Sequence, residues 1–264
     1  MTSGQEALPA PLAGLAGRFG LPTFLEARAQ VEWLRLMGDP IWRRPEIPGA
    51  QPRPVLLIPG FMASKRSMEP MRRWLCRLGF NAEVALIGLN AWSSAQMIEV
   101  VVDRIRQLAA ESGHRAIVIG HSRGGQHGTV AAVRAPEAVQ ALLTLGSPLR
   151  VAHTEYFLTR VPVTLLKAVG RFVATEADRA AEARYEADLL GPFPADVRRI
   201  SVWSKSDGIV DWRVSMIRDA KNVEVRGSHI GLAVNRHVYA EIASALEDLA
   251  AAASERGAAQ RGTQ

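Results

Sequence analysis

The stretch Ile117-Val118-Ile119-Gly120-His121-Ser122-Arg123-Gly124-Gly125 decides the fold of this chain. It opens with an apolar run rich in β-branched side chains, which predicts a buried strand. The residues after it, from Gly125 to Arg134, have the pattern of a helix. A strand, a sharp turn and a helix form the context in which Gly-x-Ser-x-Gly makes a nucleophile elbow. We therefore predict that Ser122 lies at the tip of a sheet, in a strained backbone conformation.

The residue types around Ser122 suit such a turn. Gly120 and Gly124 stand two positions on either side of it, where a Cβ would meet the neighbouring strand or helix. The helix that follows presents backbone N–H groups and the positive end of its dipole to a developing oxyanion. The motif is short enough to arise by chance, so a glycine-rich turn without catalysis is the alternative interpretation.

Composition limits the class of protein. A chain of 264 residues, with 48% hydrophobic and 22% charged side chains, is enough for one large α/β domain with a full core. The single cysteine, Cys76, excludes an intrachain disulfide and fits a reducing compartment. The sequence shows no apolar run of membrane-spanning length and no signal-peptide pattern at its start. We expect a cytoplasmic protein.

The net charge of +6 raises the question of anionic partners. The Lys and Arg residues are scattered, and no basic cluster is interleaved with aromatic side chains. This pattern predicts a solvated basic surface rather than a nucleic-acid site. We expect no nucleic-acid partner, and only transient contact with a lipid surface is left open.

Strand and helix patterns alternate along most of the chain. Apolar runs predict strands at residues 55–58, 80–86, 115–119, 141–145, 199–203 and 223–225. Helical spacing predicts helices at residues 68–78, 95–110, 125–134 and 238–252. Near-continuous apolar strands that alternate with helices indicate a mostly parallel sheet with helices on both faces. The predicted fold class is therefore α/β, with a core formed by residues 54–149 and 196–253.

Three segments lie outside this core. Residues 1–53 are predicted to form a loose arm followed by an amphipathic helix that begins after an N-cap at Thr23. Its apolar stripe consists of Phe24, Ala27, Val31, Leu34 and Met37. Such a helix either docks on the core, which we favour, or covers the rim of the domain. Residues 254–264 are polar and are predicted to be a flexible tail.

Residues 150–195 have helical pattern but no strand. Their first half carries an apolar stripe made of Phe157, Val161, Leu165, Val169 and Phe172. The second half, from Glu176 to Leu190, is rich in Ala and Glu. An insertion of this length after the strand that follows the elbow helix predicts a helical cap or lid over the strand ends. A plain crossover made of two helices is the alternative.

A serine hydroxyl needs an imidazole to accept its proton and a carboxylate to orient that imidazole. In a chain with this elbow the order is serine, then acid, then histidine. Of the six histidines, only His229 and His237 come late enough in the sequence. His237 falls at the start of a helix, whereas His229 directly follows a strand. We predict that His229 is the base.

The acid is selected in the same way. The candidates between the serine and the histidine are Asp178, Asp188, Asp196, Asp207, Asp211 and Asp219. Asp207 lies in the turn after strand 199–203 and is our prediction. Asp211 comes second, because it is better placed as the N-cap of a helix near Trp212. The predicted oxyanion donors are the backbone N–H groups of Phe61, in the loop after strand 55–58, and of Arg123.

Together these pieces resemble the α/β-hydrolase superfamily, on its lipase and esterase side. The matching stretches are Ile58-Pro59-Gly60-Phe61, Gly120-His121-Ser122-Arg123-Gly124-Gly125, Leu145-Gly146-Ser147-Pro148, Ser206-Asp207-Gly208-Ile209-Val210 and Gly227-Ser228-His229. The resemblance covers about residues 54 to 252. It implies a serine hydrolase in which Ser122, Asp207 and His229 occupy the catalytic positions. One departure is Pro59-Gly60, where lipases of this type usually have His-Gly.

The function expected from this resemblance is hydrolysis of carboxylic esters with lipid-like or short acyl groups, through an acyl-enzyme and without a metal or organic cofactor. Two alternatives remain open. An acyltransferase or a thioesterase would use the same three side chains. A catalytically idle binding protein would keep the fold alone.

Overall fold

The computed structural model of the protein describes residues 21–44, 47, 52–60, 63–85, 94–150 and 175–261, with the side chains of those between residues 28 and 252. The strands in this part of the chain are β1 (Pro54–Ile58), β2 (Asn81–Val84), β3 (Ala116–His121), β4 (Val139–Leu145), β5 (Arg198–Trp203) and β6 (Lys221–Glu224). The helices are α1 (Leu21–Gly38), α2 (Glu69–Arg77), α3 (Ser94–Ser112), α4 (Arg123–Arg134), α5 (Glu176–Leu190), α6 (Trp212–Ser215) and α7 (Arg236–Arg261).

The described strands form one sheet in the order β2-β1-β3-β4-β5-β6. Every neighbouring pair runs parallel. Strands β1 and β3 are buried along their whole length, which explains why their sequences are continuously apolar rather than alternating. The predicted parallel α/β sheet is confirmed, and it brings the carboxyl ends of all these strands to one edge.

Helices cover both faces of the sheet, as predicted. On one face, Leu57 and Ile119 pack in a single apolar core with side chains of α2 and α7, among them Trp74 and Tyr239. On the other face, Leu56 and Val118 pack with side chains of α3, α4 and α5. Alternate residues of the same strand thus enter different cores.

Helix α1 differs from its prediction in two respects. It begins at Leu21, so Thr23 lies inside the helix and the predicted N-cap at that residue is wrong. Val31 and Leu34, which belong to the predicted apolar stripe, are exposed. Leu36, which does not belong to it, is fully buried. The side that faces the protein carries Leu36 together with Glu32, and Glu32 bonds to the backbone of Ser228. The face of α1 that contacts the protein thus combines the apolar Leu36 with a polar contact of Glu32, which apolar spacing alone did not reveal.

Helix α7 continues to Arg261, well past the end predicted at residue 252. The helix end predicted at residue 252 is therefore wrong, while the flexibility of residues 254–264 stays a prediction. The segment contains many Ala, Glu, Arg and Gln residues, which favour helix, and the one glycine within it, Gly257, is not enough to end the helix.

The insertion between β4 and β5 is described only in its second half. Helix α5 packs on the sheet face that also carries α3 and α4, and its Tyr185 and Leu189 are buried in that core. This is the packing of a crossover helix. Residues 151–174, with the predicted stripe from Phe157 to Phe172, lie outside the described residues, as does the arm at residues 1–20. The helical cap stays a prediction.

Every helix in the described ranges is too short or too polar to span a lipid bilayer.

Candidate active site

The elbow around Ser122 has the strained geometry that the sequence predicts. Strand β3 ends at His121 and helix α4 begins at Arg123, so Ser122 alone makes the turn. Its φ of 54° and ψ of −124° give it the sole positive φ among the non-glycine residues that the structure describes. Such a conformation costs on the order of 1–3 kcal/mol and is held by its surroundings. Here the Ser122 N–H donates to the carbonyl of Leu145 at 2.8 Å.

Glycine is required at several positions around this turn. A Cβ on Gly120 would lie 2.5 Å from the backbone of Gly124, and a Cβ on Gly124 would lie 2.1 Å from the carbonyl oxygen of Ile58. A Cβ on Gly60 would come within 3.2 Å of the Ser122 Cβ. The close approach predicted for Gly120 and Gly124 is confirmed, and the end of β1 is pressed against the elbow.

The structure brings Asp207 and His229 together. His229 Nδ1 lies 2.7 Å from Asp207 Oδ2, and the two side chains are only 6% and 2% exposed. The other carboxylate oxygen, Oδ1, accepts the backbone N–H groups of Ile209 and Val210, each at 2.8 Å. With its Nδ1–H donated to the carboxylate, the neutral imidazole of His229 keeps a lone pair on Nε2 that can accept a proton.

This pair lies at the same end of the sheet as Ser122. Gly146, with a φ of +55°, follows the residue whose carbonyl binds the Ser122 N–H. A Cβ on Gly146 would lie 3.0 Å from Asp207 Oδ2 and 3.4 Å from His229 Nδ1. The chain after β4 therefore passes between the elbow and the Asp207–His229 pair, with room for glycine only.

The loops that carry Asp207 and His229 are fastened to each other. The hydroxyl of Ser204 donates to the Gly227 carbonyl at 2.8 Å and accepts the Gly227 N–H at 3.1 Å. The Ser206 hydroxyl donates to the same carbonyl at 3.1 Å. These bonds fix the spacing between the loop after β5 and the loop after β6, and hence the spacing between the carboxylate and the imidazole.

A second histidine, His121, contacts the backbone of His229. Its Nε2 lies 2.8 Å from the His229 carbonyl oxygen, and the centroids of the two rings are 4.9 Å apart. Burial, together with the nearby His229, lowers the pKa of His121 to about 4. The ring is therefore neutral near pH 7, and its Nε2–H donates to the carbonyl. Sequence order excluded His121 as the base, and only its position next to Ser122 pointed to the site.

The predicted oxyanion donors are only partly described. Arg123 is the first residue of α4, so its backbone N–H lies in the first turn, at the positive end of the helix dipole. Its guanidinium extends away to the Ser94 hydroxyl at 2.9 Å, which fits a role for the backbone group alone. Phe61 lies outside the described residues, so its N–H stays a prediction.

Three of the other candidate acids have different partners. Asp211 caps α6 by accepting the Arg213 N–H at 3.0 Å, as the sequence indicated. Asp196 pairs with Arg115 at 2.8 Å, at the opposite end of the sheet. Asp188 pairs with Arg134 at 2.6 Å. None of these three carboxylates bonds to a histidine in the described residues, which leaves Asp207 as the acid in contact with an imidazole.

Two more histidines have a definite place. His237 is exposed in the first turn of α7. His127 is fully buried, and its Nδ1 lies 2.9 Å from the Tyr185 hydroxyl. Within the described ranges, no group of three or more His, Cys, Asp or Glu side chains is arranged to hold a metal ion.

Comparison with known protein families gives a match for most of the sheet and its helices. The family model described as the alpha/beta hydrolase fold matches residues 53–222, more than half of the chain. The match begins after α1 and ends before His229. A comparison with curated protein sequences finds no match.

Several solved structures share the architecture. A structure from the metagenome-derived lipolytic enzymes LipS and LipT is 14% identical with a TM-score of 0.55, over 77% of this chain and 99% of that one. The Bacillus licheniformis lipase BlEst2 is 13% identical with a TM-score of 0.55, over 77% and 94% of the two chains. At such identities the likeness concerns the fold. Together with the family match, it shows that this chain belongs to the alpha/beta hydrolase fold family.

Proposed function

We propose that this protein hydrolyses carboxylic esters through a covalent acyl-enzyme formed on Ser122. One observation carries the proposal above the others. A buried carboxylate and a buried imidazole, those of Asp207 and His229, are 2.7 Å apart at the sheet edge where a strained turn presents a serine. A buried carboxylate bonded to an imidazole, beside a serine, is the arrangement that acyl transfer requires.

In the first half of the proposed reaction, Ser122 Oγ attacks the carbonyl carbon of the ester while His229 Nε2 takes the hydroxyl proton. The tetrahedral intermediate collapses as His229 returns that proton to the leaving alcohol. Asp207 keeps the ring in the tautomer that has its proton on Nδ1, and it stabilises the imidazolium that forms for a moment. The product of this half is an acyl group on Ser122 and a free alcohol.

In the second half, a water molecule takes the place of the alcohol. His229 Nε2 removes a proton from the water, whose oxygen attacks the acyl carbon. The new intermediate releases the carboxylic acid and restores the Ser122 hydroxyl with the proton held by His229. The backbone N–H groups of Arg123 and Phe61 are proposed to hold the oxyanion in both halves, since preorganised donors act best in a site that excludes water.

An exposed apolar residue next to His229 in the sequence favours an ester with an apolar acyl or alcohol group. Ile230 follows His229 directly and is 43% exposed, which is unusual for a large aliphatic residue in the described part of this chain. Apolar surface left open beside reactive groups is typical of a binding surface for apolar ligands. The lipolytic enzymes that share the fold agree with this substrate class.

A panel of p-nitrophenyl esters of increasing chain length tests the proposal. Wild-type protein is expected to hydrolyse part of the panel, and Ser122→Ala is expected to lose at least about 10³-fold in kcat. Ser112→Ala is the matched control, because that serine caps the end of α3 by donating to the Leu108 carbonyl. Full activity in the Ser122→Ala protein would overturn the proposal.

Product analysis separates the alternatives that share these side chains. An acyltransferase would pass the acyl group to an added alcohol or amine in preference to water, and a thioesterase would favour thioesters over oxygen esters. An idle binding protein on this fold would be folded and yet turn over none of these substrates.

A further inference from the structure

Helix α1 lies outside the part of the chain that matches the family, yet it contacts the loop that carries His229. Glu32, near the middle of α1, makes this contact. Its Oε1 accepts the backbone N–H of Ser228 at 2.8 Å, and its Oε2 accepts the side-chain amide of Asn235 at 3.3 Å. Ser228 is the residue before His229, so the carboxylate holds the Gly227–Ser228 peptide unit, which directly precedes the one that joins Ser228 to the histidine.

The loop is shaped around this carboxylate. A Cβ on Gly231 would lie 1.9 Å from Glu32 Oε2, and a Cβ on Gly227 would lie 3.2 Å from the same atom. Neither glycine has a positive φ, so the backbone conformation does not call for glycine at residue 231. A Cβ there would also lie 2.6 Å from the Ser228 hydroxyl, so the Glu32 and Ser228 side chains together fill the space beside this residue.

The same stretch of backbone is held from its other side. His121 Nε2–H donates to the His229 carbonyl at 2.8 Å. Asn235, which bonds to Glu32, also donates to the Arg226 carbonyl at 2.8 Å and so ties the two ends of the loop together. The backbone of residues 228–229 is thus fixed at an N–H by Glu32 and at a C=O by His121. The direction in which the imidazole leaves the chain depends on both.

We propose that Glu32 is a positioning residue for the reaction: it fixes the loop that carries His229, so that the N-terminal helix belongs to the working unit of the active site. Glu32 acts through the placement of the imidazole, not on the substrate. The proposal rests on the function proposed for Ser122 and His229. A displacement of about 1 Å in a catalytic group can cost about 100-fold in rate, so the contact need not touch the substrate to matter.

Two variants of Glu32 test this with the full-length protein. Glu32→Ala removes both bonds and leaves the Ser228 N–H without its acceptor. It is expected to lower kcat by about 10- to 100-fold, with KM changed by no more than about twofold. Glu32→Gln keeps an oxygen for the Ser228 N–H but turns an amide toward the amide of Asn235. Its kcat is expected to fall between those of Glu32→Ala and wild type.

Two controls loosen α1 without touching the loop. Arg236→Ala removes the ion pair, 3.4 Å long, with Asp39, the residue that directly follows α1. Leu36→Ala removes a fully buried side chain of α1 from the core. Both are expected to lower Tm while leaving kcat close to that of wild type. Equal losses of kcat in Glu32→Ala and Leu36→Ala at the same loss of Tm would overturn the proposal.

A measurement that needs no substrate separates this proposal from the proposed function. The proton on His229 Nδ1, shared with Asp207, is expected to give a far-downfield proton NMR resonance, assigned by its loss in His229→Gln. Glu32→Ala is expected to shift or broaden it, and Arg236→Ala to leave it in place. Should wild type cleave no ester, the proposed function would fail while this comparison still decides the role of Glu32. An unchanged resonance in both Glu32 variants would refute that role.

Discussion

Two histidines with different hydrogen-bond partners have their rings in contact at the candidate site. His229 bonds to a carboxylate through Nδ1, whereas His121 donates Nε2–H to a backbone carbonyl. Burial lowers the pKa of His121 to about 4, so this ring stays neutral near pH 7. A single charge can therefore form on His229 without a second positive ring beside it.

His121→Phe isolates the hydrogen bond from the ring contact. Phenylalanine keeps a flat ring next to His229 but has no N–H for the His229 carbonyl. The loss of one buried donor is expected to cost about 1–3 kcal/mol, seen as a fall of about tenfold in kcat and a lower Tm. Steady-state kinetics and thermal unfolding measure the two effects. His237→Phe, on the surface of α7, serves as the control, and equal kinetics in both variants would contradict the role given to His121.

At the scale of elements, the turn between β3 and α4 depends on close backbone packing. The Ile58 carbonyl at the end of β1 approaches Gly124 so closely that a Cβ has no room. The elbow is thus one unit with β1, the strand that precedes the predicted oxyanion loop. A shift of α4 would move the Arg123 N–H and Ser122 together.

Gly124→Ala is expected to damage this unit. Its Cβ would lie 2.1 Å from the Ile58 oxygen, so β1 or α4 has to move. We expect a loss of stability of several kcal/mol, about the largest that single overpacking changes give, together with loss of activity. Gly38→Ala, at the end of α1, is the control because a Cβ there meets nothing within 4 Å. Denaturant unfolding compares the two, and equal stability would contradict the packing argument.

The sequence predicted best those strands and turns whose residue types are constrained by their immediate neighbours along the chain. The apolar runs of β1, β3 and β4 and the glycines around Ser122 carry their own signal, because strand burial and tight turns constrain residue type directly. Asp207 and His229 were selected by strand ends and by order along the chain, and the structure brings these two side chains into contact. Asp211 as a helix cap was likewise readable from its neighbours.

Contacts between distant segments were not predictable in this way. Glu32 and Ser228 are separated by 196 residues, and Glu32 looks like any solvated residue of an amphipathic helix. The side of α1 that faces the protein carries this contact together with Leu36, whereas Val31 and Leu34 of the predicted stripe are exposed. His121 was passed over for the same reason, since its partner is a backbone carbonyl of a loop more than 100 residues later.

Over the whole molecule, two buried histidines link folding to pH. Burial lowers the pKa of His121 to about 4 and that of His127 to about 3, where the nearby Arg123 adds to the effect. In the unfolded chain both rings titrate near the ordinary histidine value of about 6.5. Below that pH these two rings bind protons in the unfolded state but not in the folded state, so acid favours unfolding.

The stability contributed by these rings is complete above about pH 6.5 and is lost as the pH falls toward 4. Each ring is expected to lower the free energy of unfolding by at most about 1.4 kcal/mol per pH unit across that window. Urea unfolding at several pH values measures the slope. His127→Phe is expected to reduce it and His237→Gln, at the surface, to leave it unchanged. A flat profile in wild type would contradict the burial of both rings.

We propose that the Ser122 hydroxyl, on the strained turn, is the nucleophile and that it is activated through His229 by Asp207. Mass spectrometry of the folded protein after reaction with a fluorophosphonate probe tests this most directly. We expect one adduct per chain, on the peptide that contains Ser122, with labelling strongly slowed in His229→Ala and Asp207→Asn. Folded protein that stays unlabelled, or that is labelled equally fast in those two variants, would contradict it.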